Sequence, residues 1–131
     1  MPAIALPGST NALFASILIG ASRRWRVARD NGDAVQPSLF AELSLRRCGM
    51  LAPVLDSLMA LYEAALGRAV AVSRAALPSD DERLLLDLMS GARTRANCIA
   101  CADGLGSALD TAIGSTRIMM AMMLDGLVDR R

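Results

Sequence analysis

Histidine and lysine are absent from the 131 residues, and aromatic side chains make up only 3% of them. Without His there is no Ser-His-Asp hydrolase, no Cys-His nucleophile, no His proton relay and no His-containing metal site. Asp, Glu, Cys and the lone Tyr62 are the acid–base groups left. Without Lys, all 14 basic residues are Arg, which reads first as GC-rich coding and second as selection for guanidinium chemistry. Thirteen acids bring the net charge to +1, so no global field favours nucleic acid or anionic lipid. Three cysteines, Cys48, Cys98 and Cys101, are an odd number and too few for a disulfide scaffold. Long apolar runs are also missing. The best, Ala12 to Ala21, is about half of the ~20 residues a span needs, and it ends at Arg23-Arg24. Its basic cluster follows the apolar run, the reverse of a secretory signal. The expectation is a soluble cytoplasmic protein with no transmembrane segment.

What is present favours helix. Hydrophobic residues reach 53%, supplied mostly by Ala and Leu with eight Met. These side chains lose little rotamer freedom in a helix, whereas the strand-favouring β-branched and aromatic types are sparse. Ser9-Thr10-Asn11 offers N-caps for a first helix with the apolar stripe Phe14, Leu18, Ala21, Trp25 and Ala28, stopped at Asn31-Gly32. A short second helix runs roughly from Pro37 to Cys48. The third carries Leu51, Leu55, Leu58, Tyr62, Ala65, Ala69, Val72 and Ala76, a period near 3.5 that ends before Pro78 and marks a central helix. Ser79-Asp80-Asp81-Glu82 predicts a capping box for a fourth helix. Gly104 and Gly106 divide the rest into helices near 94–103 and 106–128. The fold class is therefore all-α: one domain, 1–131, with residues 1–8 irregular, as a compact bundle of four to five mostly antiparallel helices.

Three features carry chemistry. Cys98-Ile-Ala-Cys101 puts two thiols at i and i+3, one face of a helix, where the first thiol of such a pair can be activated for redox attack. In these four residues the chain resembles the helical C-x-x-C of the alkylhydroperoxidase D-like family. The resemblance implies an all-helical thiol peroxidase, but Leu105 stands where that family has His, and Asp87 is a loose substitute for its Glu. The competing reading is that both thiols pack in the core with Leu105 and Leu109. No metal set is expected, since Cys48, Cys98 and Cys101 lack a fourth ligand. Arg23, Arg24, Arg26 and Arg29 surround Trp25 as a basic amphipathic surface for nucleic acid or an anionic membrane, or as a solvated helix end.

The third feature is the run Ile118 to Leu124, apolar on every side of the last helix. Leu109, Ala112, Ile113, Thr116, Met120, Met123, Leu124 and Leu127 form its inner face, while Ser107, Thr111, Gly114 and Ser115 admit a close neighbour. Flexible Met side chains suit helix–helix recognition, so Met119, Met120, Met122, Met123, Leu124 and Leu127 are the interface candidates. Asp80-Asp81-Glu82 reads as cap chemistry, and Gly104-Leu-Gly106 lacks the third glycine and preceding strand of a dinucleotide fingerprint. The expected function is a non-enzymatic protein-interaction module without cofactor, paired with itself as a homodimer or with another protein. An Arg-mediated nucleic-acid regulator and a thiol oxidoreductase are the alternatives.

Overall fold

Among the described residues there are five helices of ten residues or more and one single-turn helix, and no strand. The computed structural model describes residues 8–128, with side-chain surroundings for 12–125. In order they are α1 (Gly8–Asn31), α2 (Val35–Ser44), a 3-10 turn (Gly49–Leu51), α3 (Ala52–Leu66), α4 (Asp80–Ser90), α5 (Arg95–Cys98) and α6 (Asp103–Val128). The all-α bundle expected from composition is the observed fold. The first seven residues of the segment expected to be irregular lie outside the described residues. Gly8 belongs to α1, which therefore starts upstream of the caps proposed at Ser9-Thr10-Asn11. Short polar residues are tolerated there, because the N–H groups of a first turn have no helical partner anyway.

The α1 stripe packs as its spacing predicts: Leu18, Ala21, Trp25 and Ala28 are all buried. Arg46 donates to Ser16 Oγ at 2.6 Å and Glu42 lies against Gly20, so α2 runs antiparallel to α1. Ser22 meets Met59 and Arg26 meets Glu63, so α3 runs in the same direction as α1. α3 sits centrally, packed against α1, α2 and, most extensively, α6. It buries Leu55, Leu58, Met59 and Tyr62. The stretch Gly49–Leu66 is, by length and composition alone, apolar enough to cross a membrane, and it replaces Ala12–Ala21 as the most span-like window. Its apolar residues are the centre of the bundle core, and no clear transmembrane segment is present among the described residues.

The second helix runs Val35–Ser44 and not from Pro37 to Cys48, which precedes the 3-10 turn, and two further boundaries differ from expectation. α3 ends at Leu66, some ten residues before Pro78. Gly67 adopts φ 73° and donates to the Glu63 and Ala64 carbonyls at 3.1 Å. Ala69, Val72 and Ala76 therefore lie in an irregular segment, 67–79, and do not extend the seam. The left-handed conformation is free of Cβ strain only for glycine. Gly67→Ala is expected to cost about 1 kcal/mol, read as a lower urea midpoint at unchanged m-value. An unchanged midpoint would mean that Gly67 does not set the helix end.

The second difference lies between α4 and α6. α5 is a single turn, residues 99–102 are non-helical, and α6 begins at Asp103 and runs unbroken through Gly104 and Gly106. The Arg95 guanidinium lies against both stretches. It bonds the Ile99 carbonyl at 3.2 Å and Asp110 at 3.0 and 3.1 Å, and it lies where a Cβ on Gly106 would be, 2.8 Å from Arg95 Cζ. Gly106 is thus a contact glycine inside a helix and not a breaker. Asp103 in the first turn suits the positive end of the α6 dipole.

Candidate functional site

Three of the four arginines around Trp25 face acids of neighbouring helices. Arg23 donates to Glu82 through Nε at 2.8 Å and Nη2 at 3.1 Å. Arg26 bonds Glu63 and Asp30, and Arg29 reaches Glu63 at 3.3 Å. The Arg26 and Arg29 guanidiniums also lie 5.3 and 4.8 Å from the Trp25 ring centroid, within cation–π range. Arg24 is exposed and forms none of the ion pairs among the described residues. By sequence, Arg23 and Arg26 belong to a basic surface around Trp25. The structure turns both onto carboxylates thirty or more residues away, a pairing that helical spacing cannot reveal.

Those carboxylates organise the irregular segment. Glu82 completes the expected capping box with Ser79 and is almost fully buried. Besides Arg23 it accepts the N–H groups of Ser79 at 2.8 Å and Ser73 at 3.4 Å. Asp81 takes a two-point bond from Arg68 at 2.6 and 2.7 Å and the Ala71 N–H at 2.7 Å. Glu63 accepts the Val70 N–H at 2.9 Å. The Tyr62 hydroxyl donates to the Asp81 carbonyl at 2.7 Å, and its burial pushes the phenol well above its ordinary range. Asp81 titrates below the usual carboxylate range, chiefly through Arg68, with the Ala71 N–H adding to it against desolvation. At Glu82 burial is the largest single influence and works upward, but Arg23 and the Ser79 and Ser73 N–H groups together outweigh it. These groups are structural anchors: every one is engaged within the fold. Acid–base roles are not assigned to them.

The cysteines are placed differently from the shared helical face. Cys98 is the last residue of α5 and exposed. Cys101 lies in the following non-helical stretch, half-buried, its Sγ 3.9 Å from Arg95 Nη1. The residue between them that enters the core is Ile99, whose extended backbone (φ −130°, ψ 110°) turns it inward. The core reading thus fits Ile99 and not Cys98. Cys48 is buried, and burial raises its thiol pKa. Among the described residues no group of three Cys, Asp or Glu is placed to hold a metal ion.

The last helix divides cleanly. Met120 and Leu124 are core residues, and Met119 and Met123 pack partly against the core. Leu109, Ile113 and Thr116 set an inner seam with steps of four and three that continues straight to Met120 and Leu124. These two interface candidates are therefore bundle interior. Met122 is exposed (67%), as is Ile118 (63%), which was not among the candidates; the Leu127 side chain lies outside the described residues. The outward line Gly104, Ala108, Thr111, Ser115, Ile118 and Met122 again steps by four and three, and every member is exposed. It carries no charge as far as Met122, and its next step of three is the exposed Asp125. The charged residues of α6 before Asp125 are Asp103, Asp110 and Arg117, seven apart and so on one line of their own. Arg95 holds Asp110, and Arg117 donates to the Met89 and Leu88 carbonyls at 2.8 Å. The seven-residue spacing of these charges was the signal in the sequence for an uncharged outer face.

The geometry defines an all-α bundle with an uncharged outer helix face and an internally engaged ionic network. Comparison of the chain with protein-family models, with curated proteins and with solved structures returns no match.

Proposed function

We propose that this chain is a non-enzymatic helical subunit that acts by helix–helix association, and that its first partner is a second copy of itself through the outer face of α6. The observation that carries this reading is the uncharged exposed line from Gly104 to Met122 on a helix of 26 residues. A solvent-facing helix surface ordinarily alternates charges, and an exposed apolar stripe marks a contact. The line is also self-complementary. Its N-terminal half is small (Gly104, Ala108, Thr111) and its C-terminal half large (Ile118, Met122). An antiparallel copy, centred near Ser115, brings Ala108 close to Met122 and Thr111 close to Ile118. That is the isologous contact a two-fold dimer requires. The free cysteines suit a reducing compartment, and we place the subunit in the cytoplasm.

Sedimentation velocity across a concentration series tests it. The expected result is a dimer that reductant leaves unchanged. Ile118→Glu with Met122→Glu is expected to weaken association by about a hundredfold or more, because two large apolar contacts per copy are lost and two carboxylates per copy would be buried against Thr111 and Ala108. Helical circular dichroism should stay intact, since both side chains are exposed. A wild-type chain that stays monomeric throughout the series would sink the proposal.

A further inference from the structure

A cleft of about 370 Å³ lies between the C-terminal end of α4, α5 and the middle of α6. Leu88 and Ile113, both nearly buried, form its floor, the exposed Ala96 adds apolar surface at its wall, and Gly91 and Gly114 leave it open, since a Cβ on either would meet nothing within 4 Å. Three guanidiniums line it, those of Arg93, Arg95 and Arg117, against a single carboxylate, Asp110. Arg95 is fully occupied by Asp110 and the Ile99 carbonyl, so it neutralises Asp110 and holds α5 to α6. The other two are not occupied in this way. Arg117 gives Nε and Nη2 to two neutral carbonyls and faces no carboxylate in an ion pair among the described residues, which leaves its charge uncompensated and Nη1 available. Arg93 has one ionic contact, Nε to Asp87 at 3.6 Å, which leaves both of its terminal nitrogens. Thr94, between Arg93 and Arg95, holds the N-cap position of α5, but its side chain makes no cap bond.

Capping of the α4 C-terminus accounts for two of the Arg117 donors. It accounts for neither Arg93 nor Thr94, nor for an apolar lining left open beside them. We infer that this cleft binds a small organic anion. Its carboxylate or phosphate head is held by Arg93, Arg117 and Thr94, and its apolar body rests on Ala96 and the floor that Leu88 and Ile113 form. Guanidinium suits either head, since planar N–H pairs match two oxygens at once. The volume lies near the lower end of ligand pockets, which limits the body to about one ring or a short chain.

The test is methyl NMR on the full chain, following the Ile113 δ1-methyl during titration with phenyl phosphate, benzoate and inorganic phosphate. The Ile113 signal is expected to shift and saturate with phenyl phosphate or benzoate, while that of Ile17, in α1, stays in place. The better of the two identifies the head group. Inorganic phosphate is expected to bind at least about tenfold more weakly, because it leaves the apolar lining uncovered. Arg93→Gln is expected to weaken binding about tenfold, the worth of one charge-assisted hydrogen bond. Its exposed side chain makes loss of folding an inadequate explanation for that change. Gly114→Leu should fill the cleft and abolish the shift. No saturable shift at Ile113 with any probe overturns the inference. So does a shift that survives both substitutions, or inorganic phosphate binding as tightly as phenyl phosphate. The readout is the same whether the chain is monomeric or paired through α6.

Discussion

Trp25→Ala is expected to lower the free energy of unfolding by about 3–5 kcal/mol, a large share of the ~5–15 kcal/mol that a domain of this size has in total. Trp25 has no exposed surface and is the largest fully buried side chain. Its removal leaves a cavity that a single surrounding residue cannot fill. The indole Nε1–H also donates to Asp56 Oδ1 at 2.9 Å, and the other Asp56 oxygen accepts Gln36 Nε2 at 3.1 Å. One ring thereby ties α1 to α3, and through Asp56 to α2. Trp25→Phe keeps most of the packing and loses the N–H donor, so a smaller loss, about 1–2 kcal/mol, is expected. Urea denaturation measures both, with Arg24→Ala as the exposed control. If Trp25→Ala cost no more than the control, the tie between the three helices would have no energetic content.

Glu82→Ala is expected to cost about 2–3 kcal/mol, because it removes the buried carboxylate of a part-exposed ion pair and orphans the N–H groups it accepts. The damage should be local first. Hydrogen exchange at the Ser73 and Ser79 amides is expected to accelerate well before exchange in α3. Acid should act on the same place. The Asp81 and Glu82 carboxyls titrate below their ordinary values of 3.8 and 4.5, so the unfolded chain binds protons that the folded chain refuses. Their stabilisation is complete above about pH 5 and is lost as the pH falls through the lowered folded values. Glu82→Gln should flatten that part of the acid profile. An acid transition that is unchanged in Glu82→Gln and Asp81→Asn, with segment 67–79 no more labile than the helices, would remove these carboxylates as the anchor.

Local pattern made much of this architecture legible. The stripe through Trp25, the central third helix up to Ala65, the capping box at Ser79 and the inner seam of α6 all depend on spacing within one helix. A 3.6-residue turn converts that spacing directly into a face. The errors have a common origin. Ala69, Val72 and Ala76 continue a helical period, yet Glu63, Asp81 and Glu82 reach the backbone of residues 70–79 and hold it in another shape. Gly106 resembles a break until Arg95 is seen lying against it. Met120 and Met122 are chemically alike and two residues apart, but one is core and the other is surface. The candidate interface was legible as a helix and not as a face. Its real marker was the seven-residue spacing of the α6 charges.

The sequence by itself determined that the chain is helical, where most helices lie, which side of each is apolar, and that histidine chemistry is excluded. Composition and short-range periodicity suffice for these, because helix propensity and amphipathicity are local. Only the tertiary structure decided where α3 stops, that the arginines of α1 face Glu63 and Glu82, that Cys98 is exposed while Ile99 is buried, and that Arg93, Thr94 and Arg117 share one cleft. Each of these depends on a side chain meeting a group far away in the chain, and one-dimensional spacing carries no record of such distances.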